Sequence, residues 1–79
     1  MKLTPVKSSQ IEAVGHNPEI NTLRIQFKSR DPKKPGSTYD YANVTPEQHK
    51  AMVEAESVGS HFYKNIKPHA AKFPYTKVS

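Results

Sequence analysis

The sequence predicts an α+β fold, a small three-stranded antiparallel β-meander packed against one or two C-terminal helices. Three observations predict it. Leu23-Arg24-Ile25-Gln26-Phe27-Lys28 and Thr38-Tyr39-Asp40-Tyr41 set apolar or aromatic residues at every second position, the repeat of a strand with one buried face. Thr45-Pro46-Glu47-Gln48 then opens a run of helix formers in the order a helix N-terminus requires. With 79 residues and 8.9 kDa, the chain has room for a single domain over 1–79, and so for one sheet and its cover.

The first strand is placed at Gln10–His16, where β-branched and small residues run into the turn-forming Asn17-Pro18. The second, Leu23–Lys28, turns Leu23, Ile25 and Phe27 toward the core. Between Ser29 and Ser37, two prolines, a glycine and three basic residues, Arg30, Lys33 and Lys34, mark an exposed cationic loop. The third strand, Thr38–Val44, places Tyr39 and Tyr41 on one face and pairs antiparallel with the second. In the first helix, Thr45 is the cap, Pro46 the first helical residue and Gln48 the capping-box partner. Val58-Gly59 stops that helix near Ser57. A second, shorter helix opens at Ser60, carries His61, Phe62 and Ile66 on its apolar side, and ends before Pro68. The tail from Ala70 to Ser79, with Phe73 and Tyr75 around Pro74, reads as an extended arm that packs back.

Composition narrows the function. Twelve Lys+Arg against seven Asp+Glu give a net charge of +5 and a pI near 9.6. From Ser57 to Ser79 there are four lysines and no acid. Such a surface suits phosphates, or simply solubility. Mean hydropathy is −0.79, and no apolar run approaches the roughly 18 residues of a membrane helix. The N-terminus, broken by Pro5, Lys7 and two serines, is no secretory signal, so a cytoplasmic location and no membrane partner are expected. With no cysteine there is neither a disulfide framework nor a thiolate metal site. Two Leu, four Ile, six Val, two Met and three Phe make a thin core, and modest stability or self-association follows.

Catalytic chemistry is not indicated. His16, His49, His61 and His69 include no pair at the i, i+4 spacing of a helical metal site. Asp40 points away from the tyrosines beside it, and Glu54 and Glu56 lie on different helical faces. No serine has a neighbour in sequence that would activate it, and no glycine-rich phosphate loop occurs. Neither a catalytic residue, a metal nor a cofactor is expected.

Read in order, Val6, Ser8-Ser9, Ile11, Val14-Gly15, Leu23-x-Ile25-x-Phe27, Tyr39-x-Tyr41, Val44-x-Pro46, Ala55-x-Ser57-x-Gly59-Ser60-x-Phe62 and Asn65-Ile66-Lys67 resemble the KTSC domain across nearly the whole chain. That family is a short domain at the C-terminus of some lysyl-tRNA synthetases and a stand-alone small protein in bacteria and their phages. The resemblance implies an RNA-binding role. Two departures stand out. His16 occupies a position where the family usually has an aromatic, and the Ser29–Ser37 connection is longer and more basic, with Arg30, Lys33 and Lys34 as added phosphate contacts.

The expectation is a non-enzymatic module that binds RNA, tRNA-like or single-stranded, through a basic surface of Lys7, Lys64 and Lys67 with Ser8, Ser9 and Asn65 nearby. The alternative is a protein-interaction module, an exposed strand edge or the Phe73-Pro74-Tyr75 arm docking on another protein or on a second copy. Sequence leaves several roles open. Tyr39 and Tyr41 are either stacking platforms or core, Ser57 caps or back-bonds a helix end, and Gly59 turns the chain in a left-handed conformation or serves a ligand.

Overall fold

A computed structural model describes residues 2–29, 31, 33–34 and 36–78, so Arg30 of the cationic loop lies outside the described residues. The element order is β1 (Thr4–Pro5), β2 (Ile11–Asn17), β3 (Thr22–Phe27), β4 (Thr38–Tyr41), α1 (Pro46–Val53), α2 (Val58–Asn65) and β5 (Tyr75–Lys77). The strands form one sheet in the order β1-β2-β3-β4-β5, every neighbouring pair antiparallel. The α+β class holds, and the strand count is five where three were expected. The two additional strands are the edges, two and three residues long. Elements so short cannot display a period, and hydrogen bonding to a formed neighbour is what defines them.

The register of the central pair follows from alternation. Leu23 opposes Tyr41 and Ile25 opposes Tyr39, while Arg24 opposes Asp40 on the other face. Arg24 Nε donates to Asp40 Oδ1 at 2.7 Å and Nη2 to Oδ2 at 2.9 Å, a bidentate cross-strand pair. In β2 the register slips between Ile11 and Ala13, so Ile11 and Val14, three apart, both reach the core.

Left-handed asparagines shape two bends. Asn21 (φ 47°) lies in the β2–β3 turn and its carbonyl accepts from Val44 N–H at 2.8 Å. Asn43 (φ 64°) ends β4 at Tyr41, short of the expected Val44, and its Nδ2 donates to Lys72 O at 3.0 Å.

The capping box forms as the residues dictate: Gln48 N–H donates to Thr45 Oγ1 at 3.2 Å and Thr45 N–H to Gln48 Oε1 at 2.9 Å. The first helix ends at Val53 and the second begins at Val58, both earlier than expected, because Ser57 caps α2 by accepting from Ser60 N–H at 3.3 Å. Gly59 is therefore the second residue of α2 and has no positive φ. What requires glycine there is contact: a Cβ would sit 2.9 Å from Ser8 Oγ.

Both helices cover the sheet face that carries Leu23, Ile25 and Tyr41. Phe62, fully buried, is the hub, meeting Phe27, Tyr41 and Tyr63 edge-on at centroid distances of 5.7, 5.1 and 5.3 Å. The C-terminal arm packs back as expected. Phe73 is buried in the same cluster, Pro74 O accepts from Ala42 N–H at 2.9 Å, and β5 pairs with β4. Among the described residues no helix is long and apolar enough to cross a membrane.

Candidate functional site

The β1–β2 connection lies against the start of α2. Ser8 Oγ accepts from Gln10 N–H at 3.2 Å and from Ile11 N–H at 3.1 Å, which folds residues 8–11 into a tight turn. Lys28 N–H then donates to Gln10 O at 2.9 Å and ties that turn to the end of β3. Ser8, Ser9 and Gln10 face Ser57, Ser60 and Tyr63 across a depression of about 500 Å³. A second depression of about 400 Å³ runs between Lys28, Ser29, Tyr39 and Lys67, and Tyr63 is common to both. The two form one strip. Lys67, which lines the second depression, holds its Nζ 4.6 Å above the ring of the shared Tyr63 in a cation–π contact. No carboxylate lines either depression among the described residues.

The six residues expected at the site are not one patch. Ser8, Ser9 and Lys67 come together on the strip. Lys64, exposed, is one helical turn beyond Ser60 and shares its side of α2. Lys7 lines a separate cavity between β1, β2 and the helices. Asn65 lies on the opposite flank of α2, where Nδ2 donates to His61 O at 3.1 Å and the residue faces a cleft bounded by Phe73. Asn65 therefore falls outside the strip: about 100° per residue turns it away from Tyr63, and its amide donates within the helix. The strip also recruits Tyr63, Ser60 and Lys28. A signal existed for Tyr63, since it precedes Lys67 by four residues.

Tyr41 belongs to the core. It is 5% exposed, and burial first, then the neighbouring Tyr75, Tyr39 and Tyr63, push its phenol up to about 12. Tyr39 is half-buried between the edges of Phe27 and Tyr75 and contributes only its rim to the strip. Arg24, on the opposite sheet face, is taken up by Asp40, whose carboxylate raises the guanidinium's already high value. His16 stacks on His49 within the chain, the rings 5.0 Å apart and 11° from parallel. No group of three potential metal ligands occurs among the described residues.

The KTSC domain pattern matches residues 7–69. The chain is 37% identical over 68 residues to an uncharacterised protein of Stutzerimonas stutzeri, covering 86% of this chain and 87% of the relative. It is 36% identical over 66 residues to a protein of Tsukamurella paurometabola, covering 84% and 90%. The crystal structure of a KTSC domain protein from Yersinia pestis superposes with a TM-score of 0.82 at 33% identity, over 99% of this chain and 97% of that one.

Proposed function

We propose that this chain, which belongs to the KTSC domain family, is a non-enzymatic module that binds RNA, single-stranded or tRNA-like, along the strip between the β1–β2 connection and α2. The observation that carries the reading is that the two depressions share Tyr63, with serine hydroxyls lining one, two ammonium groups lining the other, and no carboxylate on either among the described residues. Hydroxyls and lysines are the groups that contact phosphate and sugar without reading sequence. Lys28, Lys64 and Lys67 supply three such charges. The test is an amide-shift titration with a short single-stranded RNA and with tRNA at two salt concentrations. Three phosphate contacts to a single strand give a slope of log K on log salt of about −2. Shifts at Ser8, Ser9, Ser60 and Tyr63 support the site. Undiminished binding by a folded Lys64→Glu, Lys67→Glu variant removes it.

A second reading rests on the β5 edge, where Tyr75 and Val78 are 58% and 45% exposed. An open edge with apolar side chains can add a strand from another protein or a second copy. Concentration-dependent sedimentation with no response to RNA would favour that reading.

A further inference from the structure

We infer that the cavity between β1, β2 and the α1–α2 connection seats one nucleotide unit, its base against the His16–His49 pair and an apolar floor, its phosphate toward Lys7. The inference deepens the RNA reading and rests on it, because Lys7 is the residue before Ser8 and so joins this cavity to the strip. The cavity holds about 630 Å³, the largest of those described and within the ~300–1,000 Å³ of small-ligand sites. Its floor is Val14, Val53 and Val58, two of them buried.

Its polar groups converge from different elements. His16 Nε2 donates to the Val44 carbonyl at 2.5 Å, which leaves Nδ1 to meet a ligand. The His49 ring nitrogens make no hydrogen bond among the described residues, and burial followed by the nearby His16 lowers the pKa of His49. The two rings, 5.0 Å apart and 11° from parallel, make an aromatic wall with nitrogens to offer, which suits a flat heteroaromatic ring. The rim is cationic. Lys2 and Lys7 are both exposed at the mouth, against the single carboxylate of Glu56, which can accept from base N–H groups. A bare anion would leave the floor unused, and an aliphatic chain would leave the lysines unused. A base joined to a phosphate uses both.

The probe is a 5′-nucleotide, with ribose 5-phosphate as the control that lacks a base, read by amide and histidine ring shifts on the intact chain. The expected result is saturable shifts at Val14, His16, His49 and Val58 with the nucleotide, at least tenfold weaker with ribose 5-phosphate. A Glu56→Gln variant, altered at an exposed position, should weaken the nucleotide severalfold while leaving the spectrum otherwise native. Equal response to both probes, or none at those four residues, overturns the inference. A short RNA separates the sources. Shifts in the cavity together with Ser8, Ser9 and Tyr63 mean an RNA-borne nucleotide. Shifts along the strip with the cavity silent overturn the cavity and leave the RNA reading standing. Nucleotide shifts in the cavity, with neither region answering RNA, mean a free nucleotide and overturn the RNA reading alone.

Discussion

The contact between Ser8 and Gly59 joins the β1–β2 connection to α2, and a double-mutant cycle measures it. Ser8→Ala removes the acceptor of two backbone N–H groups, one of them on the buried Ile11. An unpaired, partly buried donor puts the loss at about 1–2 kcal/mol. Gly59→Ala builds a Cβ 2.9 Å from Ser8 Oγ, closer than carbon and oxygen tolerate, so the hydroxyl must turn away and the same two bonds break. That cost is about 1–2 kcal/mol again, offset by up to about 1 kcal/mol from replacing a helical glycine. In the double variant the clash is gone and the bonds are lost only once. It should therefore be no less stable than Ser8→Ala, a coupling of about 1–2 kcal/mol between the sites. Urea unfolding followed by far-UV circular dichroism resolves this, because the whole domain has roughly 4–12 kcal/mol at ~0.05–0.15 kcal/mol per residue. Effects that add to within about 0.5 kcal/mol would refute the contact.

Four further outcomes are expected. Thr45→Ala removes the hydroxyl arm of the capping box while keeping the backbone N–H that donates to Gln48, and should cost about 1 kcal/mol, with Thr45→Ser nearly neutral in the same urea assay; equal losses would remove the cap from the account. Phe62→Ala should cost about 3–5 kcal/mol, a large share of the domain's stability, whereas Phe62→Leu should cost clearly less in the same urea assay; an alanine variant as stable as the native chain would mean that the aromatic hub is not where the stability resides. His49 binds a proton more readily unfolded, at its ordinary 6.5, than folded, so stability should fall as pH drops from 7 toward 5. His49→Gln should flatten that loss in thermal melts at pH 7.5 and 5, and identical losses in both proteins would contradict it. Ser9→Ala and Ser60→Ala should each keep stability within about 0.5 kcal/mol while lowering RNA affinity, and a binding isotherm unchanged in both would take the hydroxyls out of the site.

The central sheet was legible because β3 and β4 alternate cleanly and lie opposite each other. β2 was less so: its bulge brings Ile11 and Val14 to the same face, and a search at period two does not find residues three apart. Edge strands β1 and β5 exist only through their neighbours. The helix boundary turned on Ser57. As a stop it belongs to α1, but its hydroxyl reaches Ser60 N–H, and that bond is invisible until the chain has turned. At the site, Ser8, Ser9 and Lys67 could be named from charge and pattern. Tyr63 carries a weaker signal, because next to Phe62 an aromatic reads as core. Asn65 was carried in by its nearness in sequence to Lys67, while helical rotation put it on the far flank.

The segments most particular to this chain's pattern, Ser8-Ser9 and Ser57-x-Gly59-Ser60, meet in space, and their partners separate structural from binding roles. Ser57 caps α2, Ser8 closes a turn, and Gly59 gives Ser8 room to approach. Those three are accounted for by folding alone. Ser9 and Ser60 are not: both are exposed, and neither hydroxyl makes a hydrogen bond among the described residues. They flank one depression that continues past Tyr63 to Lys67. A turn and a helix cap thus present two uncommitted hydroxyls beside an ammonium group. The folding contacts account for Ser8, Ser57 and Gly59, so any selection for binding must be sought at Ser9 and Ser60, whose hydroxyls fold nothing, and at Lys67 beside them.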